Sequence, residues 1–255
     1  MIQELLLPMV CERFKCDARY RDGHLRVINA LSGRKVLGLH TPEMKKAAIE
    51  LWRNDAVGYI KAFEKSEHDK LTYEETVIWG FLINKVKCTV DERLAMLDRY
   101  VPVLDNWAVC DSFCSNAKWM ANVNKEILWA FIGKWFLSER EFEVRFAVVV
   151  AMCYFLSEEW IDKVFCAIDR IEFDKIISLY KSIKGKPSVA QSGTVHGVAP
   201  YYVRMAVAWL LATALSKFPD ATRQYVNVSR LPADVIKMYI RKARESFRTR
   251  DMSAL

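Results

Sequence analysis

From residue 41 onward, apolar positions recur at i, i+3, i+4 and i+7 in segments of about 10 to 17 residues, joined by short polar connections. No stretch alternates convincingly with the period of two that marks a half-buried strand. The spacing predicts helices over 55–64, 73–86, 90–103, 107–120, 125–137, 139–156, 158–171, 201–218, 221–226 and 232–247. Ahead of them, G-L-H-T-P-E-M-K-K opens a helix with Thr41 as cap, Pro42 at the first helical position and Glu43 in the first turn. Three later starts carry the capping-box pattern of a hydroxyl followed three residues on by a glutamate: Thr72 with Glu75, Thr89 with Glu92, and Ser138 with Glu141. Residues 2–31 read as one or two short helices with the polar segment R-Y-R-D-G-H between them.

This pattern predicts an all-α chain. Helix pairs recurring every 30 to 45 residues, roughly the period of helical repeats, suggest a HEAT-like α-α superhelix with a concave basic face, formed as a single domain over 1–255. Composition agrees, because 9 glycines and 7 prolines in 255 residues leave little of the punctuation that hairpins need. The rhythm breaks once, at 181–200, where K-S-I-K-G-K-P-S-V-A-Q-S-G-T-V-H-G-V-A-P is expected to be a flexible loop insertion. Its G-K-P-S is not a phosphate loop, since the upstream glycine spacing and the preceding strand are both missing.

Charge and cysteine usage narrow the partners. A formal net charge of +7 favours a polyanion, although it speaks to general attraction and not to a site. Seven cysteines, scattered through apolar segments, together with an N-terminus that lacks the pattern of a signal peptide, fit a reducing cytoplasm. Cys11 with Cys16 and Cys110 with Cys114 lack histidines at a matching spacing, so no metal site is expected. The run V-R-F-A-V-V-V-A-M-C-Y-F-L is too short for a membrane span, which takes about 20 apolar residues, and it carries an arginine.

Four residues stand out against these apolar helices. In D-N-W-A-V-C-D-S-F-C, Trp107 and Asp111 lie four apart and so share a helix face. Arg145 sits inside V-R-F-A-V-V-V-A-M, and Trp209 inside Y-Y-V-R-M-A-V-A-W-L-L-A. The residues alone leave two readings open. The tryptophans are core residues and Arg145 with Asp111 a buried ion pair, or the four converge from three helices on one site.

The motifs L-G-L-H-T-P-E-M-K-K, D-N-W-A-V-C-D-S-F-C, E-F-E-V-R-F-A-V-V-V, Y-Y-V-R-M-A-V-A-W and S-K-F-P-D, in this order, resemble the AlkD-like DNA alkylation repair family of HEAT-like DNA glycosylases, over nearly the full length. The resemblance implies an active site of Trp107, Asp111, Arg145 and Trp209, with DNA contacts at His40, Thr41, Lys45 and Lys46. It implies excision of cationic alkylated purines from double-stranded DNA without metal or other cofactor. A monomer is expected, since the DNA-facing surface would be the largest exposed feature, cytoplasmic and nucleoid-associated when bound to DNA. His40 stands where some members carry glutamine, and Ala212 where an arginine is expected. Two rival classes remain: a catalytically silent relative that binds unusual DNA structures, and a HEAT-type scaffold for a protein partner.

Overall fold

The computed structural model describes residues 2–180, 182–183, 186–187 and 200–253. They divide into two compact units, Met1–Val123 and Asn124–Leu255. The chain is all-α, built of packed helix pairs in the manner of HEAT-like repeats. The expected loop at 181–200 falls largely outside the described residues; within it, two-residue strands β1 (Ser182–Ile183) and β2 (Lys186–Pro187) pair antiparallel.

The first unit holds α1 (Gln3–Leu6), α2 (Glu12–Cys16), α3 (Ala18–Ile28), α4 (Thr41–Lys65), α5 (Tyr73–Lys85), α6 (Val90–Tyr100) and α7 (Trp107–Asn116). α5 is its centre: every residue from Tyr73 to Ile83 is buried, Glu74 and Glu75 of its first turn included. A chain of rings then runs through four helices. Phe63 of α4 stacks on Trp79 of α5 at 5.8 Å, Trp79 meets the edge of Tyr100 at 5.2 Å, and Tyr100 meets Phe113 of α7 at 5.2 Å. Each such pair adds about 0.5–1.5 kcal/mol beyond area burial, so α7 is held by geometry as well as by apolar contact.

Three sequence expectations are corrected here. The polar segment R-Y-R-D-G-H is not a connection between helices, since residues 19–24 lie inside α3. Asp17 makes this possible by capping α3 through the Tyr20 N–H. Thr41 is not the cap of α4 either. His40 takes that position without a side-chain cap bond, and Thr41 is already helical. The separate helix expected over 55–64 is the second half of α4, beyond a kink at Asp55, whose carboxylate accepts the Gly58 N–H at 2.9 Å and restarts the helix.

The second unit holds α8 (Lys125–Gly133), α9 (Glu141–Tyr154), α10 (Ile161–Asp169), α11 (Tyr201–Lys217), α12 (Pro219–Val228) and α13 (Ala233–Glu245). All residues from Glu141 to Met152 are buried, and α11 packs on α9, α12 and α13. Arg204 of α11, buried at 1% exposure, joins Asp234 of α13 at 2.6 Å and fixes these two helices against each other.

A tight approach prepares the start of α4. Gly38 has φ +100°, and a Cβ there would fall on the ring of Phe14. Gly38→Ala therefore meets both backbone strain and a clash, each costing on the order of 1–3 kcal/mol. The variant should melt well below the native chain in a thermal unfolding scan; an unchanged midpoint would show that the Phe14 ring yields without cost.

Candidate nucleic-acid interface and active site

In the first unit, Trp107 opens α7 and Asp111 follows one turn later, both half-buried, on a shared face. The entry to α7 is set by Asn106, which is 1% exposed. Its side chain accepts the Ala108 N–H at 2.8 Å and donates to the carbonyls of Ile28 at 2.9 Å and Asn29 at 3.3 Å. Those carbonyls end α3, where Asn29 adopts the left-handed conformation with φ 49°. Asn106 thus orients the Trp107 turn by holding it to a second helix terminus. Sequence reasoning took it only as part of a motif; its signal is an Asn one residue before an apolar helix.

Next to α7, Asp105 lies 3.4 Å from Arg34, and both are largely buried. Burial raises the Asp105 carboxyl above its usual range, and the Arg34 charge opposes that shift. Cys110 and Cys114, on the opposite side of α7 from solvent, are buried core residues.

The four expected DNA-contacting residues gather at the start of α4. Thr41, Lys45 and Lys46 are exposed, and His40 is half-buried with its Nε2 2.8 Å from the Tyr20 hydroxyl. Lys45 and Lys46 border a depression of about 690 Å³ with Pro42, Ile49 and Arg53. Arg53 was missed, although 46, 49, 50 and 53 repeat at helical spacing. Tyr20 was missed as well, and only its contact with His40 reveals it. His24, edge-on to His40 at 4.9 Å, has its pKa lowered by burial first and then by the His40 charge.

Glu74 holds this edge in place. Fully buried on α5, it accepts the N–H groups of Leu37, Gly38 and Leu39 at 2.9, 2.8 and 3.3 Å, the three residues leading to His40. Burial nevertheless raises its pKa from the ordinary 4.5, outweighing those bonds. The folded chain then takes up this proton more readily than the unfolded one, so the Glu74 contribution to stability is lost as pH rises from 4.5 through the folded value. Glu74→Gln should lower the melting temperature overall yet flatten its fall between pH 4.5 and neutrality. Parallel melting curves of the two proteins across that range would refute it.

In the second unit, Arg145 lies on α9 with 4% of its surface exposed, so it offers little of itself to a phosphate. Its Nη1 donates to the Tyr202 carbonyl at 2.6 Å. One turn earlier, Glu141 accepts the Tyr202 N–H at 2.5 Å, and hydrogen bonds from Ser178 and the Val203 N–H also act on it. Glu141 and Arg145, four apart, therefore grip the two sides of one residue at the start of α11. Burial raises the Glu141 pKa, and these donors with the Arg145 charge oppose it. The capping box expected of Ser138 and Glu141 does not form, because α9 begins at Glu141 itself. Ser138 donates instead to Glu143 at 2.6 Å, which leaves Glu141 for α11.

Trp209 is 39% exposed on α11, whose neighbours Ala208 and Leu210 are buried at most 1% open. A core role is therefore not its position. Its carbonyl accepts the Thr213 hydroxyl at 2.9 Å. The structure thus places Trp107 with Asp111 in one unit and Arg145 with Trp209 in the other.

Compared with known families, residues 17–181 match the one described as DNA alkylation repair enzyme. That is well over half of the 255 residues. The chain belongs to the DNA alkylation repair enzyme family. The family match takes in His40, Lys45, Trp107, Asp111 and Arg145, and ends before α11 and Trp209. No curated protein and no solved structure gave a match. DNA repair makes DNA the expected partner of a member of this family, and among the described residues no helix is long and apolar enough to cross a membrane.

Proposed function

We propose that the protein is a monofunctional DNA glycosylase that releases cationic alkylated purines, of the N3-methyladenine and N7-methylguanine type, from duplex DNA. The observation that carries this reading is the half-exposed Trp107 and Asp111 pair on one face of α7, inside the stretch that matches the repair family.

A purine methylated at N3 or N7 carries a positive charge, so its glycosidic bond is already weak. When that bond breaks, its electron pair returns to the base and neutralises it, and positive charge develops on the sugar. A carboxylate at Asp111 stabilises that oxocarbenium-like centre and aligns a water for attack at C1′, whose proton then passes to Asp111 or to solvent. The products are the neutral base and an abasic site with both strands intact. No acid is required to protonate the leaving group, since the methyl group has done that work.

Trp107 and Trp209 present ring faces to the cationic base and deoxyribose, each cation-π contact contributing about 0.5–2 kcal/mol. Arg145 adds a buried positive charge and fixes the start of the helix that bears Trp209. His40, Thr41, Lys45 and Lys46, joined by Arg53, bind backbone phosphates on the exposed side of α4.

The test is release of N7-methylguanine and N3-methyladenine from methylated duplex DNA by the native chain. Appearance of free base without strand cleavage supports the reading. Salt-dependent DNA binding without release would favour a silent DNA binder, and absence of both would favour a protein scaffold.

A further inference from the structure

Beside Trp209, and beyond the stretch that matches the repair family, a depression of about 380 Å³ opens between α11 and the C-terminal end of α13. One wall is the face of α11 that carries Trp209, Thr213 and Ser216; the other carries Lys242, Glu245 and Arg248. Ala212 keeps the floor open, since a methyl group is all it adds there.

The donors available decide what fits. Thr213 gives its hydroxyl proton to the Trp209 carbonyl at 2.9 Å, and Ser216 gives its own to the Thr213 carbonyl at 2.8 Å. Both hydroxyls already have acceptors within the protein, and Thr213 also lies 3.6 Å from the Met152 sulfur. Attraction must come from Lys242, a compact point charge, and Arg248, a planar fork suited to phosphate oxygens. Glu245 opposes them. It holds Lys242 at 2.9 Å and Arg241 at 3.6 Å in the solvent-exposed end of α13, where such pairs exchange readily.

We propose that Lys242 and Arg248 form a phosphodiester site that holds the DNA backbone beside the nucleotide facing Trp209. This rests on the glycosylase reading for the presence of DNA and extends it to a wall of the molecule that the family match does not reach. The site counters the exposure of Trp209: an aromatic face left open to water meets a base only when the adjoining backbone is held. Glu245 weakens the site, because its carboxylate shares the Lys242 ammonium and repels the phosphate charge.

The experiment measures affinity of the full chain for an undamaged duplex against salt. Losing two phosphate contacts in the Lys242→Ala, Arg248→Ala double variant should make the log–log salt slope shallower by about 1.8 and weaken binding at low salt on the order of tenfold. Glu245→Gln should act in the opposite direction, tightening binding on the order of twofold. A control double variant, Lys237→Ala with Arg244→Ala, removes the same charge from exposed positions of α13 outside the cavity and should leave the slope within about 0.5 of native.

If the control changes as much as the test variant, attraction by net charge replaces the site and the proposal falls. If the native chain binds and releases bases while the Lys242, Arg248 variant keeps its slope, this proposal alone falls. If the native chain shows no salt-dependent affinity, the glycosylase reading falls with it. Inorganic phosphate at matched ionic strength forms a second arm: it should displace DNA from the native chain more than from the Lys242, Arg248 variant, and equal displacement from both would place the phosphate contacts elsewhere and overturn the proposal.

Discussion

Asp111→Asn should lose base release by on the order of a thousandfold, about 4 kcal/mol of transition-state stabilisation, while its affinity for duplex DNA stays within about threefold of native. Asparagine has the volume and most of the hydrogen-bonding reach of aspartate but no charge. The electrostatic stabilisation of the developing sugar cation goes, and the packing of α7 stays. Asn106 at its start and the Tyr100–Phe113 contact on its buried side also hold that helix. Single-turnover release of N7-methylguanine, run with saturating protein, reads the chemical step by itself. A variant that releases base at the native rate would remove the carboxylate from the mechanism. One that fails to bind DNA would make Asp111 a structural residue.

The second large effect is expected at Glu141. Glu141→Ala removes a carboxylate whose charge interacts with Arg145 and strips the acceptor of the Tyr202 N–H at the start of α11. Leaving a buried donor without its acceptor costs about 1–3 kcal/mol, and more where the lost acceptor is charged. Chemical denaturation should show this as a shift of the midpoint with little change in its slope. Restoring stability by Arg145→Met in the same chain would tie the loss to the interaction between Glu141 and Arg145; equal instability of the double variant would assign it to the α11 terminus.

The fold was legible because its signals are local. Thr72 with Glu75 and Thr89 with Glu92 form the capping boxes that their spacing implies, and the helices they start begin at Tyr73 and Val90 as expected. The helix ends drifted where the last turn tightens: 101–103 and 135–137 are 3-10 turns after α6 and α8, with Pro102 inside the first. What was not legible depends on partners far away in sequence. Ser138 and Glu141 have the spacing of a capping box, yet the glutamate is taken by Tyr202, 61 residues on. Arg19 to His24 looks like a connection by polarity, but Asp17 caps a helix straight through it.

The candidate site follows the same division. Trp107 and Asp111 could be paired from their spacing alone, because four residues make one helical turn. Arg145 could be seen as out of place in an apolar run, but not that it would spend a donor on a backbone carbonyl of α11. The exposure of Trp209 was beyond reach, since an apolar helix of this composition reads as buried on every side. Lys242 and Arg248 belong to a basic C-terminal run that is ordinarily a solvated face. Only the placement of α13 beside α11 gives them something to face.

The grip of Glu141 has an evolutionary side. Ser178 and Tyr202 both bond to it, and Ile177 pairs with the backbone of Glu139 at 2.7 Å. The residues entering and leaving the 181–200 stretch are thus tied to one point at the start of α9. Insertions and deletions there can accumulate in descendants of this gene while Arg145 and the first turn of α11 keep their register, so this is where lineages of the protein can diverge in length at least cost to the chemistry.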